Sequence, residues 1–128
     1  MFISDDKRLI DIQGEFNAKF PNLKIVFYSK HHEEGKGSPK QTMLDSELTV
    51  GEVRTIHNMG DLSINGHLKV ATLESNFYEK YGLNVQVWRK SGSSWLQTTT
   101  TDSWTLTEQN NRGQSSNDPS PLIQENRS

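Results

Sequence analysis

Apolar positions in this chain recur twice with a helical period. Leu9, Ile12, Phe16 and Phe20 fall 3, 4 and 4 residues apart, and Val70, Leu73, Phe77 and Tyr81 repeat that spacing 61 positions later. Such spacing draws one apolar stripe down a helix. Each stripe is followed by an alternating segment, Leu23-Ile25-Phe27 and then Leu83-Val85-Val87, as one face of a strand requires. The offset falls to 60 because the single Gly82 replaces Pro21-Asn22. Residues 8–30 and 69–90 therefore read as two copies of one helix–turn–strand unit.

The remaining elements follow from punctuation. The first helix is predicted to start after Ser4 or Asp5, whose side chains suit the unpaired N–H groups of a first turn. Pro21 ends it. The second is predicted over Val70–Tyr81, with Gly82 as a left-handed cap. Residues 29–47 are rich in Gly, Ser, Pro and charge and read as an exposed connection, long enough to suggest a working loop. Residues 48–56 fit a short helix or a strand equally. Asp61–Ile64 reads as a short strand ahead of the Asn65-Gly66 turn, and Trp95–Thr101 as an antiparallel partner of Leu83–Trp88. Leu122 and Ile123 are the only apolar residues after 107, so 108–128 reads as a polar, disordered tail. Together these elements predict one compact α+β domain over 1–107. It is a two-layer sandwich with both helices on one face of a mainly antiparallel sheet.

Composition narrows the chemistry. The chain has 128 residues, a formal net charge of −2 and no cysteine. Disulfides, thiolate catalysis and cysteine-bound zinc are excluded, and no overall charge draws the chain to nucleic acid or anionic lipid. The first ten residues lack the basic-then-apolar pattern of a signal peptide, and no stretch has the ~20 apolar residues of a membrane span. A cytoplasmic protein without a membrane partner is expected.

The motifs that suggest catalysis are weak. His31 and His32 are adjacent, so on an extended loop they point apart and do not chelate one ion, and no metal site is assigned. Gly35-Lys36-Gly37-Ser38 lacks the earlier glycine and the Ser or Thr directly after lysine that a phosphate-binding loop needs. Asp102-Ser103 has no nearby histidine to serve as base and reads as a turn or helix cap. No catalytic residue and no cofactor is assigned.

Two surfaces suggest binding. Trp88 is predicted on the strand face opposite Leu83, Val85 and Val87, with Trp95 across the turn and Trp104 folded back over both. With Tyr28 they form either a satellite cluster that pins the hairpin or a protein-docking surface. Lys30 and Lys90 occupy equivalent strand ends, with Arg89 beside the second. Were the strands neighbours, Lys30, Lys36, Lys40, Arg89 and Lys90 would make a basic rim beside Tyr28 and Trp88, suited to single-stranded nucleic acid.

The segment VQVWRKSGSSWLQTTTTDSWTLTEQN resembles the C-terminal signature of an uncharacterised family of small bacterial proteins. That resemblance extends upstream through 23–38 and 70–82. It implies a bacterial, cytosolic, compact domain and carries no activity. The expectation is a non-catalytic module that binds another protein, or itself through strand 23–28 or 95–101. Nucleic-acid binding is the alternative, and a small-molecule enzyme or sensor with a pocket between helices and sheet is the third reading.

Overall fold

The structure is a computed structural model that describes residues 1–32 and 35–116. Helix α1 (Leu9–Lys19) and strand β2 (Leu23–Tyr28) form the first unit, and α2 (Val70–Tyr81) and β4 (Asn84–Ser91) form the second. β4 lies between β2 and the shorter β5 (Ser94–Gln97), antiparallel to both. A separate ribbon pairs β1 (Phe2–Ile3) with β3 (Gly60–Asp61). The α+β architecture with an antiparallel sheet is as the hydrophobic pattern predicts.

The stripes meet where the spacing places them. Leu9, Ile12, Phe16, Val70, Leu73 and Phe77 are fully buried with Leu23, Ile25, Phe27, Val85 and Val87 in one core. α1 packs on β2 and α2 on β4. Phe27 and Phe77, one from each unit, meet edge to face with ring centroids 6.1 Å apart, a favoured aromatic geometry. Gly82 ends α2 at φ 65°, its N–H bonded to Tyr78 O.

The helix starts differ from the sequence expectation. α1 begins at Leu9, and neither Ser4 nor Asp5 caps it. A first turn leaves N–H groups without helical partners, and here a distant segment supplies carbonyls instead. Leu9 N bonds Leu48 O and Ile10 N bonds Ser46 O, both at 2.9 Å. In return Val50 N bonds Lys7 O at 2.8 Å and Gly51 N bonds Asp5 O at 3.0 Å. The start of α2 repeats this arrangement bond for bond. Val70 N meets Trp104 O (2.9 Å), Ala71 N meets Asp102 O (2.8 Å), Leu106 N meets Leu68 O (2.8 Å) and Thr107 N meets Gly66 O (3.1 Å). Each donating segment carries the same reciprocal box, Thr49 with Glu52 and Thr105 with Glu108, the threonine hydroxyl and the carboxylate each accepting the other's backbone N–H.

After the first box the chain makes only a 3-10 turn, Gly51–Val53, which is what becomes of the ambiguous 48–56 segment. After the second it makes helix α3, Leu106–Ser116. That helix takes in 108–116, which composition assigns to the tail; 117–128 lie outside the described residues. α3 has only Leu106 as an apolar residue on its buried side, where Gln109 and Gly113 also face inwards. Gln109 donates to Thr101 O and Oγ1, both at 2.7 Å, and accepts from Arg89 Nη1 at 2.8 Å. β3 also starts one residue before the predicted strand, and β5 stops at Gln97 rather than Thr101.

The free side of β2 is closed. Asn17 Nδ2 donates to Leu23 O at 2.8 Å, Gln13 Nε2 to Ile25 O at 2.9 Å and Leu44 N to Phe27 O at 2.9 Å. A second copy pairing along 23–28 meets carbonyls already bonded. No described helix is long and apolar enough to cross a membrane.

Candidate functional site

β5 ends opposite Trp88, so the outer edge of β4 continues past it without a strand partner. Backbone groups at such an edge must find other partners. Val87 N donates to Glu74 Oε2 at 2.9 Å, and Val87 O accepts from Thr98 N at 3.1 Å and Thr98 Oγ1 at 3.0 Å. Two residues along the same edge, Val85 O lies 3.1 Å from His32 Nε2. A carbonyl only accepts, so that imidazole nitrogen carries a proton. The same nitrogen lies 3.5 Å from Glu74 Oε1, and both side chains are under a tenth exposed. Gln86 Nε2 also donates to Glu74 Oε2, at 3.2 Å, while Gln86 Oε1 accepts from Ser38 Oγ at 3.4 Å.

Glu74 reaches this place because it lies on the apolar stripe of α2, four residues after Val70 and three before Phe77. Burial pushes its carboxyl up to about 7 and Asp102 adds to the rise, against the opposing pull of the Val87 N–H and His32. His31 stacks on Tyr78 with ring centroids 3.7 Å apart. Burial, then the neighbouring His32, lowers its pKa. These groups border a half-open cavity of about 180 Å³ lined by His31, His32, Glu74, Ser75, Tyr78 and Glu79, and by Ala71 and Val85. A larger and more open recess of about 400 Å³ continues from Ala71 and Ser75 to Lys69, Asp102 and Ser103. Asp102 ties the covering loop down by accepting Gly35 N at 2.8 Å.

The predicted aromatic surface divides in two. Trp88 and Trp95 share the sheet face away from the helices, with Lys24 Nζ 5.4 Å from the first ring centroid and 4.7 Å from the second. Tyr28 is buried, and its hydroxyl accepts from Trp88 Nε1 at 3.2 Å. Trp104 does not fold over them; it lies against Arg89, whose guanidinium carbon is 5.8 Å from its ring centroid.

The basic rim is not assembled. β2 and β4 run antiparallel with Lys24 opposite Trp88 and Tyr28 opposite Asn84. Lys30 therefore lies beyond one end of the sheet and Arg89 and Lys90 at the other. Equivalent positions pair directly only at the middle of two such strands, as Val26 and Gln86 do, and those at the ends fall at opposite ends of the sheet. Arg89 is also buried, on the α3 side. Lys36 and Lys40 are exposed on the 29–47 connection, which crosses the outer face and fastens Ser38 N and O to the Gln97 side chain at 2.9 and 3.1 Å.

Sequence reasoning passed over Glu74, Gln86 and the role of His32. One signal was present: a glutamate on a helical stripe that is otherwise apolar. On sequence the histidine pair reads as part of a solvated loop, whereas the structure uses one ring for a backbone carbonyl and the other for an aromatic stack. Comparison with protein-family models, curated proteins and solved structures finds no match. The likeness of the C-terminal segment to small bacterial proteins thus rests on its residues alone.

Proposed function

We propose that this protein is a small-molecule-binding module, a sensor rather than an enzyme, whose site is the cavity beside α2. The observation that carries the reading is the pairing of a buried carboxyl with a cavity at a position where the fold does not need an acid. In the first unit Gln13 occupies the place of Glu74 and seals the strand edge with an amide. A buried ionisable group in a cleft, shifted by its surroundings, is a recurring mark of a functional site. Binding is favoured over turnover because Val87 and Gln86 fix Oε2 of Glu74 in place, with Oε1 3.5 Å from His32 as the oxygen for a ligand.

This replaces protein docking as the leading reading. The tryptophans that suggest a docking surface are engaged within the chain by Lys24, Tyr28 and Arg89. A cysteine-free chain suits a reducing compartment, and we place its work in the cytoplasm. The test is a fragment screen on isotope-labelled protein by NMR. Backbone shifts gathered at Ala71, Ser75, Tyr78 and Val85 support the pocket. Ligand or partner-protein shifts confined to the Trp88 and Trp95 indole signals return the function to the aromatic face.

A further inference from the structure

We infer that the ligand of this cavity is a small organic ammonium ion, a class fixed by the carboxylate, aromatic and hydroxyl groups that face it; this rests on the pocket reading above. About 180 Å³ is the space of roughly six waters of liquid, so it suits a short carbon skeleton with one charged head. Two acids, Glu74 and Glu79, and the hydroxyl-bearing Ser75 are among the residues that line it. The Tyr78 ring, 43% exposed and stacked on His31, offers a π-face of the kind that attracts ammonium ions.

The charges around the head group add up in the same direction. Glu79 projects from α2 itself, and Asp102 acts from the loop before α3 strongly enough to raise the Glu74 pKa. His31 is held towards its neutral form. β4 contributes Val85, Gln86 and Val87, none of them charged. The groups that oppose a cation are His32, and Lys69 at the far side of the adjoining recess.

A proton and an ammonium ion then compete for one carboxylate. Below pH 7 Glu74 holds its proton, and a cation entering the cavity displaces it. Binding is therefore coupled to the release of one proton. Affinity rises about tenfold per pH unit below the Glu74 pKa and levels above it.

The experiment is an NMR titration with three probes of similar size: butylammonium, 1-butanol and butyrate, each at pH 5.5, 6.5 and 7.5. Butylammonium is expected to shift Ala71, Ser75, Tyr78 and Val85, more tightly at each higher pH, with butanol weaker and insensitive to pH. Glu74→Gln is expected to keep a folded spectrum, since Gln13 serves in the other unit, and to lose the pH dependence. Should that variant unfold, the pH series on the unaltered protein decides alone. Butyrate or butanol binding in the cavity at least as tightly as butylammonium overturns the cation assignment and leaves the pocket standing. No probe shifting the cavity residues overturns both readings. Butylammonium binding in the cavity with an affinity flat with pH overturns the cation assignment to Glu74 alone.

Discussion

Gln13 and Glu74 stand at the same position of their helices, 61 residues apart, and each turns its side chain onto the open edge of the strand that follows. Gln13 donates to the Ile25 carbonyl; Glu74 accepts the Val87 N–H. Those two strand residues are themselves offset by two along equivalent strands, so the polar groups address the same edge from the donor side and the acceptor side. An amide can do either job. The second unit uses an acid, and it buries that acid beside a histidine.

That choice gives the protein a pH-dependent stability. The folded state holds the Glu74 proton more tightly than the unfolded chain, whose carboxyl titrates near 4.5. Between that value and about 7 the folded state carries more bound protons, so stability falls as pH climbs through this window and changes little from this source above it. The size is roughly 3 kcal/mol at most, the opposing pull of Val87 N–H and His32 being already within the shift. Urea unfolding from pH 4.5 to 8 is expected to show this decline and Glu74→Gln to flatten it. Equal slopes in the two proteins contradict the assignment.

Gly82 supplies a prediction independent of the site. At φ 65° an L side chain is strained, and an added Cβ would stand 2.7 Å from Ile56 Cγ1. Gly82→Ala is expected to cost about 1–2 kcal/mol. A melting temperature unchanged from the parent protein would show that the helix end relaxes to another cap.

Much of the frame was legible because it depends on neighbours in sequence. The stripe from Val70 to Tyr81 and the glycine after it determine α2 to the residue, and the alternation in 23–27 and 83–87 determines which strand face meets the helices. What was not legible depends on partners far along the chain. Ser4 and Asp5 are sound caps by type, but Leu48 and Ser46 supply the carbonyls. The polarity of 108–116 hid α3 because its buried side is built from Gln109 and Gly113, which satisfy hydrogen bonds and close approach rather than hydrophobicity. The basic rim failed for a topological reason, as the repeat gives equivalence while the antiparallel pairing gives separation. Glu74 was visible as an odd residue on its stripe, but its burial comes from the loops that bring His32 and Asp102 over it.

The contact between units has a measurable size. Phe77 is fully buried and meets Phe27 of the other unit. Phe77→Ala is expected to lose about 3–5 kcal/mol through lost burial and the cavity left behind, and Phe77→Leu about half of that. Thermal unfolding by circular dichroism reads both. A cooperative single transition in each variant is expected, because the two units share one core; separate melting of the two halves would contradict that.

Arg89 and Gln109 make the strongest case that α3 belongs to the domain. Arg89 is 9% exposed and Gln109 fully buried, so the 2.8 Å bond between them satisfies a guanidinium that solvent barely reaches. Burial lowers the Arg89 pKa, and Arg112 lowers it further, so the site holds its charge at a cost that the Gln109 carbonyl oxygen offsets. The Gln109 amide simultaneously holds Thr101 by two bonds. Gln109→Ala removes all three and is expected to destabilise the protein by about 2–4 kcal/mol. Gln109→Glu restores an acceptor for Arg89 but no donor for Thr101, and is expected to recover part of the loss, less at low pH where the new carboxyl is protonated. Amide exchange separates the two roles. Protection in 106–113 is expected to collapse in the alanine variant while α1 and β2 keep theirs. An alanine variant as stable and as protected as the parent would mean that α3 lies on the domain without supporting it.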